Sequence, residues 1–252
     1  EGFALDLENF EMLLADSVHT IRASEVHISS LEQFIKVQKV EIIPDLTQKS
    51  SNYFQIKLED LNLTEADINK VFYTTEVDVG ELKLLKPEFS LYSLGVQQKS
   101  DKGIFDLYEL IKGILASISI RDLKIVEGKF VQRDNDDRKN HRIKANQIDF
   151  MMQEVYVGPD EKRKINQFFY AQDAALELRE VEVALGDKVH IIKSEFVSLS
   201  SFTDAIEIKN VNIRPIENEF IDEGQTLFEI NIPELQLNDA DLRKIYNEGI
   251  ID

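Results

Sequence analysis

Leu5-Asp6-Leu7-Glu8-Asn9-Phe10-Glu11-Met12 places apolar side chains two apart, then three apart, then two apart, with the polar pair Glu8 and Asn9 in the middle. A spacing of two belongs to a strand whose faces meet different surroundings, whereas a helix repeats at three and four. The polar doublet is the informative part. One extra residue in a regular strand would turn Phe10 and Met12 to the face opposite Leu5 and Leu7. A bulge at the doublet absorbs that residue, keeps all four side chains on one face, and bends the strand there. The cadence returns at Ile21, Ala23, Val26, Ile28, at Ile35, Val37, Val40, Ile42, at Ile56, Leu58, Leu61, Leu63 and at Val77, Val79, Leu82, Leu84. In the second half it reads Ile118, Ile120, Leu123, Ile125, then Ile143, Ala145, Ile148, Phe150, then Leu176, Leu178, Val181, Val183. Ile206, Ile208, Val211, Ile213 and Ile230, Ile232, Leu235, Leu237 complete the set. If neighbouring strands bend at one level, the bends add and the sheet curls into a trough. Pro233, inside one of the doublets, cannot donate to a ladder and suits a bulge or an edge position.

The chain also repeats on a larger scale. Residues 5 to 44 laid over 176 to 215, at a constant offset of 171, give fifteen identities in forty positions. The identical pairs include Asp16 with Asp187, Val18 with Val189, His19 with His190, Ser30 with Ser201 and Pro44 with Pro215. Residues 54 to 78 then lie over 228 to 252 at offset 174, pairing Phe54 with Phe228, Asp67 with Asp241 and Lys70 with Lys244. Two blocks recurring in one order are the mark of a repeat array. The organisation expected is one elongated repeat domain over 1–252, a piece of a longer chain. Copy one runs over 3–92, a middle segment over 104–172 and copy two over 176–252. Short helices are expected over 66–72, opened by a Thr64 and Asp67 capping pair, over 107–115, and over 239–246 after an Asn238 cap.

The balance of 29 basic against 47 acidic residues, net charge −18, disfavours nucleic acid or an anionic bilayer surface as main partner. The basic clusters at Arg133, Arg138, Lys139, Arg142 and at Lys162, Arg163, Lys164 are broken by acids and read as solvated turns. No cysteine is present, so disulfides, thiol nucleophiles and thiolate metal sites are excluded. No run approaches the roughly 20 apolar residues that span a bilayer as a helix. A membrane anchor is expected outside this stretch, if there is one.

No motif for catalysis emerges. There is no Gly-x-Ser-x-Gly, phosphate-binding glycine loop, His-Glu-x-x-His or dinucleotide fingerprint, so no catalytic, cofactor or metal residue is nominated. Asp134, Asn135, Asp136 and Asp137 lack the spacing of a calcium loop and read as a hairpin turn. His19 and His190 are expected to be strand-surface residues inherited with the repeat, and Phe168, Phe169 and Tyr170 to pack over a sheet edge. Asn62 to Thr64 fits a glycosylation sequon at a helix cap.

The run Phe54-x-Ile56-x-Leu58-x-x-Leu61-x-Leu63, a short helix, then Val77-x-Val79-x-x-Leu82-x-Leu84-x-x-Pro87-x-Phe89, resembles the AsmA-like and TamB-like proteins of bacterial envelopes. Ile118-x-Ile120-x-x-Leu123-x-Ile125-x-x-Gly128-x-Phe130 after a helix is similar. The resemblance implies a mainly β fold with a few short helices, an elongated, curled antiparallel sheet of half-pipe or β-taco form. A two-layer β-sandwich is the alternative. It implies a periplasmic or cell-envelope location and a non-enzymatic role in lipid handling or outer-membrane homeostasis, with no cofactor. The partners would be lipid acyl chains or an envelope protein. The candidate lining is Leu5, Leu7, Phe10, Met12, Ile56, Leu58, Leu61, Leu63, Val77, Val79, Leu82, Leu84, Leu176, Leu178, Val181 and Val183. A structural or protein-interaction scaffold with a closed core is the rival reading, and a hydrolase of envelope glycans, which would need a cleft converging on carboxylates, is the third.

Overall fold

A computed structural model describes residues 2–48, 52–93, 107–134, 141–159, 170–187, 189–216 and 226–248. In chain order the elements are β1 (Ala4–Leu13), β2 (His19–Ser29), β3 (Phe34–Pro44), β4 (Asn52–Thr64), α1 (Ile68–Thr74), β5 (Glu76–Leu85), β6 (Glu88–Ser93), α2 (Leu107–Ile111) and β7 (Ser117–Asp134). They continue with β8 (Ile143–Val157), β9 (Asp173–Ala184), β10 (His190–Ser200), β11 (Ala205–Pro215), β12 (Ile230–Leu237) and α3 (Leu242–Glu248). All strands join one 12-stranded sheet in the order β1-β2-β3-β4-β5-β7-β8-β9-β10-β11-β12, curled but not closed, so the sandwich alternative does not form. β6 continues the line of β5 along the same neighbour, β4. Pairing is antiparallel except where β7 runs parallel to β5 and β6. The reason is a return crossing: the chain that leaves β6 at Ser93 comes back through α2 to start β7 at Ser117, level with Glu76 at the start of β5.

Eight of the ten polar doublets form a crease across the sheet, while Gly80-Glu81 and Arg121-Asp122 fall on a second one and the first crosses their strands at Lys86 and Glu127. Between β1 and β2 the ladder pairs Glu8 with Glu25 and Phe10 with Ala23 and skips Asn9 and Ser24, with the same register on both sides of the gap. Lys39 on β3, Glu59 on β4, Lys86 between β5 and β6, Glu195 on β10, Asn210 on β11 and Pro233 on β12 fall in matching gaps. Each strand thus inserts its extra residue beside its neighbour's, which bends the sheet without slipping it. Among the described strands only β7 and β8 carry two-against-one bulges, on either side of the Gly128 and Ile148 pair, and there the crease shifts along the strands as it passes from Glu127 to Asn146.

Backbone conformation at the crease depends on strand direction. Asn9, Lys39, Lys86, Glu127, Glu180 and Asn210, on the strands running the way of β1, have φ between 48° and 55°. Ser24, Glu59, Asn146, Glu195 and Pro233, on the strands running the other way, do not take positive φ. A second, shorter crease joins Glu65, Gly80, Arg121 and Glu154, and there the positive φ falls on Glu65 and Glu154 instead.

Apolar side chains pack across the bend. Ala23, Val40 and Leu58 sit at its base, buried to 4%, 3% and 8% exposure, and touch Val26, Val37 and Leu61 from one arm as well as Ile21 and Ile56 from the other. Side chains before and after the doublet therefore share a face. Gly128 fits here because a Cβ would come within 3.3 Å of the Pro87 ring and 3.0 Å of Ile125. At the second crease a larger core forms, where Ile68 of α1 packs with Val79, Ile120, Met152, Val155, Val157 and Ala174, and Leu107, Tyr108 and Ile111 of α2 lean on it.

Two expectations move. The cap of α1 is Asp67, whose Oδ1 accepts from the Lys70 N–H at 3.1 Å, and that of α3 is Asp241, bonded to Lys244 N–H at 2.9 Å. Both helices start later than the Thr64 and Asn238 readings because Glu65 and Asp239 are left-handed, with φ 54° and 57°, and must be passed first. The helix expected over 107–115 is described as helical only to Ile111. Phe168, Phe169, residues 135–140 and the cluster 162–164 lie outside the described residues.

Candidate functional site

Following partners strand by strand picks out one line across the sheet: Leu7, Val26, Val37, Leu61, Leu84, Ile125, Phe150, Leu176, Leu199, Ile206, Leu237. Every member is apolar and every strand position contributes one. None of them is buried. The nine interior residues are half-buried and the two at the ends, Leu7 and Leu237, are 37% and 40% exposed. On the other arm of the crease a parallel line runs from Met12 through Ile21, Ile42, Ile56, Phe89 and Phe130 to Ala145 and Val181. Eleven strand positions at about 4.8 Å give an apolar arc on the order of 50 Å.

The sixteen candidate lining residues divide between two environments. Leu5, Leu7, Phe10, Met12, Ile56, Leu61, Leu84, Leu176, Leu178 and Val183 are exposed or half-buried on the open part, while Leu58 and Val181, next to the crease residues, are buried. Val79 is 2% exposed, and Leu63, Val77 and Leu82 pack against its cluster, so these four belong to the helix-covered core. One strand of the lining escaped the cadence. On β10, Ile192, Ser194, Val197 and Leu199 occupy cadence positions, but Ser194 stands where β2 has Ala23 and hides the pattern. Its hydroxyl donates to Lys209 O at 2.8 Å, which makes its burial tolerable.

The outer face is a ladder of alternating charge. Glu11, Arg22, Glu41, Lys57, Glu88 and Lys129 lie directly opposite one another on successive strands. Arg22 reaches Glu11 at 3.1 Å, Lys57 reaches Glu41 at 3.4 Å and Lys129 reaches Glu88 at 3.2 Å. Such exposed pairs each contribute little stability, but opposite charges across a ladder favour this register over a slipped one. A groove of about 1040 Å³ runs along the crease, and its Arg22, Lys39, Lys57, Lys86 and Lys129 are matched by Glu11, Glu41, Glu59, Glu88 and Glu127. It offers no net charge to a ligand. In a smaller groove of about 390 Å³ at the second crease, Glu65 is bonded by Arg121 at 2.9 Å and Asp78 by Lys70.

The two repeated histidines are not on the surface. His19 and His190 are 2% and 1% exposed, among the most buried side chains of the chain. Nδ1 of His19 meets Asp16 Oδ2 at 2.5 Å, and the Phe54 backbone N–H donates to Nε2 at 3.1 Å. A main-chain N–H can only donate, so Nε2 carries the lone pair and Nδ1 the proton. The ring also stacks on Phe54 with centroids 3.7 Å apart. His190 repeats each contact, with Asp187 at 2.6 Å, Phe228 N–H at 3.2 Å and the Phe228 ring at 4.0 Å. Both histidines therefore clamp the β1–β2 type of turn to the start of a strand two places away. Burial pushes the Asp16 carboxyl up, but the N–H groups of His19 and Val18 and the His19 ring outweigh it and hold it below the usual value. For Asp187 the His190 ring is the main cause of a lowered pKa, helped by the Val189 and His190 N–H groups. The repeat signalled that this pair matters; alternation along the strand gave no sign that it is buried.

Among the described residues no group of three or more His, Cys, Asp or Glu side chains is placed to hold a metal ion, and no helix is long and apolar enough to cross a membrane. No family model and no curated protein matches the chain.

Proposed function

We propose that this chain is a non-enzymatic cell-envelope protein whose curled sheet shields lipid acyl chains along its apolar face. The observation that carries the reading is the unbroken line from Leu7 to Leu237, apolar at every position and fully buried at none. A continuous apolar line of that length, half-buried along its middle and exposed at both ends, is a surface for which a methylene chain is a cover of matching chemistry. The burial of the crease residues fits the same reading, since it leaves the two arms as walls. The envelope location and the lipid class rest on the resemblance to AsmA-like proteins.

Organic extraction of the purified protein followed by mass spectrometry tests this. Stoichiometric acyl lipid is expected, lost in Val37→Glu and Ile125→Glu and retained in Arg22→Ala on the outer face, with circular dichroism to verify folding. A chain that carries no acyl lipid and takes none from phosphatidylethanolamine and phosphatidylglycerol vesicles would sink the proposal. The second reading, an envelope scaffold, is favoured by the closed core around Val79, Ile120 and Met152. It expects no lipid in that assay.

A further inference from the structure

We propose that the charged face carries a phosphate-binding site on β8 to β11, formed by Arg142, Lys144, Lys193 and Arg214. The basic cluster that begins at Arg133 and ends at Arg142 reads as a solvated turn in the sequence, but strand pairing carries it into copy two. Arg142 extends β8 by one residue: its N–H donates to Gln132 O and its C=O accepts from the Ala184 N–H, each at 2.8 Å. One row across the sheet therefore runs Arg133, Arg142, Ala184, Ile191, Arg214, and the next runs Val131, Lys144, Glu182, Lys193, Asn212. The carboxylates at these rows are Glu182 and Glu229, the latter bonded by Asn212 at 3.4 Å. Five permanent cations against two carboxylates leave an excess of three positive charges, in a chain whose net charge is −18.

The repeat shows that this excess is peculiar to copy two. At offset 171, Glu182 and Lys193 stand for Glu11 and Arg22, so the ladder begins in the same way. Then Asn212 takes the place of Glu41, Arg214 that of Ile43, and Ala184 that of Leu13. In copy one the next carboxylate, Glu41, is present and holds Lys57 at 3.4 Å. In copy two Glu182 is shared by Lys193 at 2.6 Å and His141 at 2.7 Å, and β11 supplies no acid to this row. Among the described residues Arg133, Lys144 and Arg214 form no ion pair. Arg142 and Arg214 flank the uncharged pair Ala184 and Ile191 and lie about 14 Å apart along the sheet, a gap that two long side chains can span around one compact anion. Guanidinium forks match phosphate oxygens two at a time, and an ammonium adds a point charge. A phosphate monoester, which gathers two charges in one small group, answers such an excess better than a lone carboxylate does.

The acidity of the whole chain does not cancel the patch. At about 0.15 M salt charges are screened within about 8 Å, less than the roughly 19 Å that the five strands cover. The site lies on the face opposite the apolar line and stands whether or not that line carries acyl chains. Isothermal titration at about 0.15 M NaCl tests it with inorganic phosphate and with monomeric dihexanoyl phosphatidic acid. Both are expected to bind the native chain, and Lys193→Ala with Arg214→Ala should weaken both by about tenfold or more. Arg22→Ala, the copy-one equivalent of Lys193, should leave both unchanged, and circular dichroism verifies that each variant folds. Tighter binding of phosphatidic acid than of phosphate would identify a lipid headgroup as the source of the anion, and equal binding a free phosphate compound; both uphold the site. Failure of the native chain to bind either probe would overturn the proposal, as would binding that survives the double variant. A poly-glutamate peptide that binds where phosphate does not would also overturn it, making this surface a contact for an acidic protein.

Discussion

At the residue scale the crease is built from side chains that do not suit it. Left-handed backbone costs an ordinary L-residue roughly 1–2 kcal/mol, with Asn and Gly the usual exceptions. Asn9 and Asn210 fit that rule, but Lys39, Lys86, Glu127 and Glu180 do not. Lys39 is exposed and has φ 48°, so the side chain contributes no packing that its removal would forfeit. Lys39→Gly is therefore expected to raise stability by about 0.5–1 kcal/mol, and Lys39→Ile to lower it by about 1–2 kcal/mol, since β-branching aggravates the same strain. Urea unfolding of the two variants checks both signs. If glycine proved as costly as isoleucine, the left-handed backbone at Lys39 would be wrong. This level was partly legible in sequence. The doublets marked the bend on most strands, but not those at Lys86 and Glu127, and whether a doublet turns left-handed depends on strand direction, which only the pairing reveals.

At the element scale the misplaced helix starts are instructive. Thr64, Glu65, Ala66 and Asp67 offer two plausible caps three residues apart, and sequence favours the first because it opens a capping-box pattern. The chain takes the second because Ala66 is held back in the sheet: its N–H bonds Gln33 O at 2.8 Å, as the Ala240 N–H bonds Asp204 O at 2.8 Å in the other copy. Asp67→Ala should then cost about 1 kcal/mol in unfolding free energy, and Thr64→Ala much less. Equal losses, or a larger one at Thr64, would place the cap where the sequence first suggests. The strands themselves were read well wherever the cadence was intact. β10 was missed because a single serine, Ser194, replaces an apolar residue and finds its hydrogen bonds in the neighbouring strand, information that spacing does not carry. The parallel entry of β7 was missed for a similar reason: it depends on where the chain returns after β6, a matter of connection rather than of pattern.

At the scale of the whole molecule, two identical clamps sit in unequal surroundings. The Asp16 and His19 clamp adjoins strands that continue into the core around Val79 and Met152, which draws on residues from Ile28 of β2 to Ala174 of β9. The Asp187 and His190 clamp holds β12 through Phe228, and no residue of β10, β11 or β12 belongs to that core. In a quasi-linear array, stability is a sum of local terms and nearest-neighbour contacts, so the end with fewer contacts opens first. Replacing either histidine by Ala empties a buried ring site and removes the partner of a backbone N–H at the start of the clamped strand, so each variant should be markedly less stable than the native chain. Hydrogen exchange should place those losses differently. His190→Ala is expected to deprotect β11 and β12 while β4, β7 and β8 stay slow, whereas His19→Ala should accelerate exchange across the whole sheet. Acid should follow the carboxylates. The folded pKa values of Asp16 and Asp187 lie below their unfolded value of 3.8, so the clamps' contribution is complete above about pH 5 and disappears as pH falls through the folded values. Protection in β12 should therefore fail before that in β7 as the pH drops below 3.8, and a single transition with all strands exchanging together would show instead that the curled sheet opens as one unit.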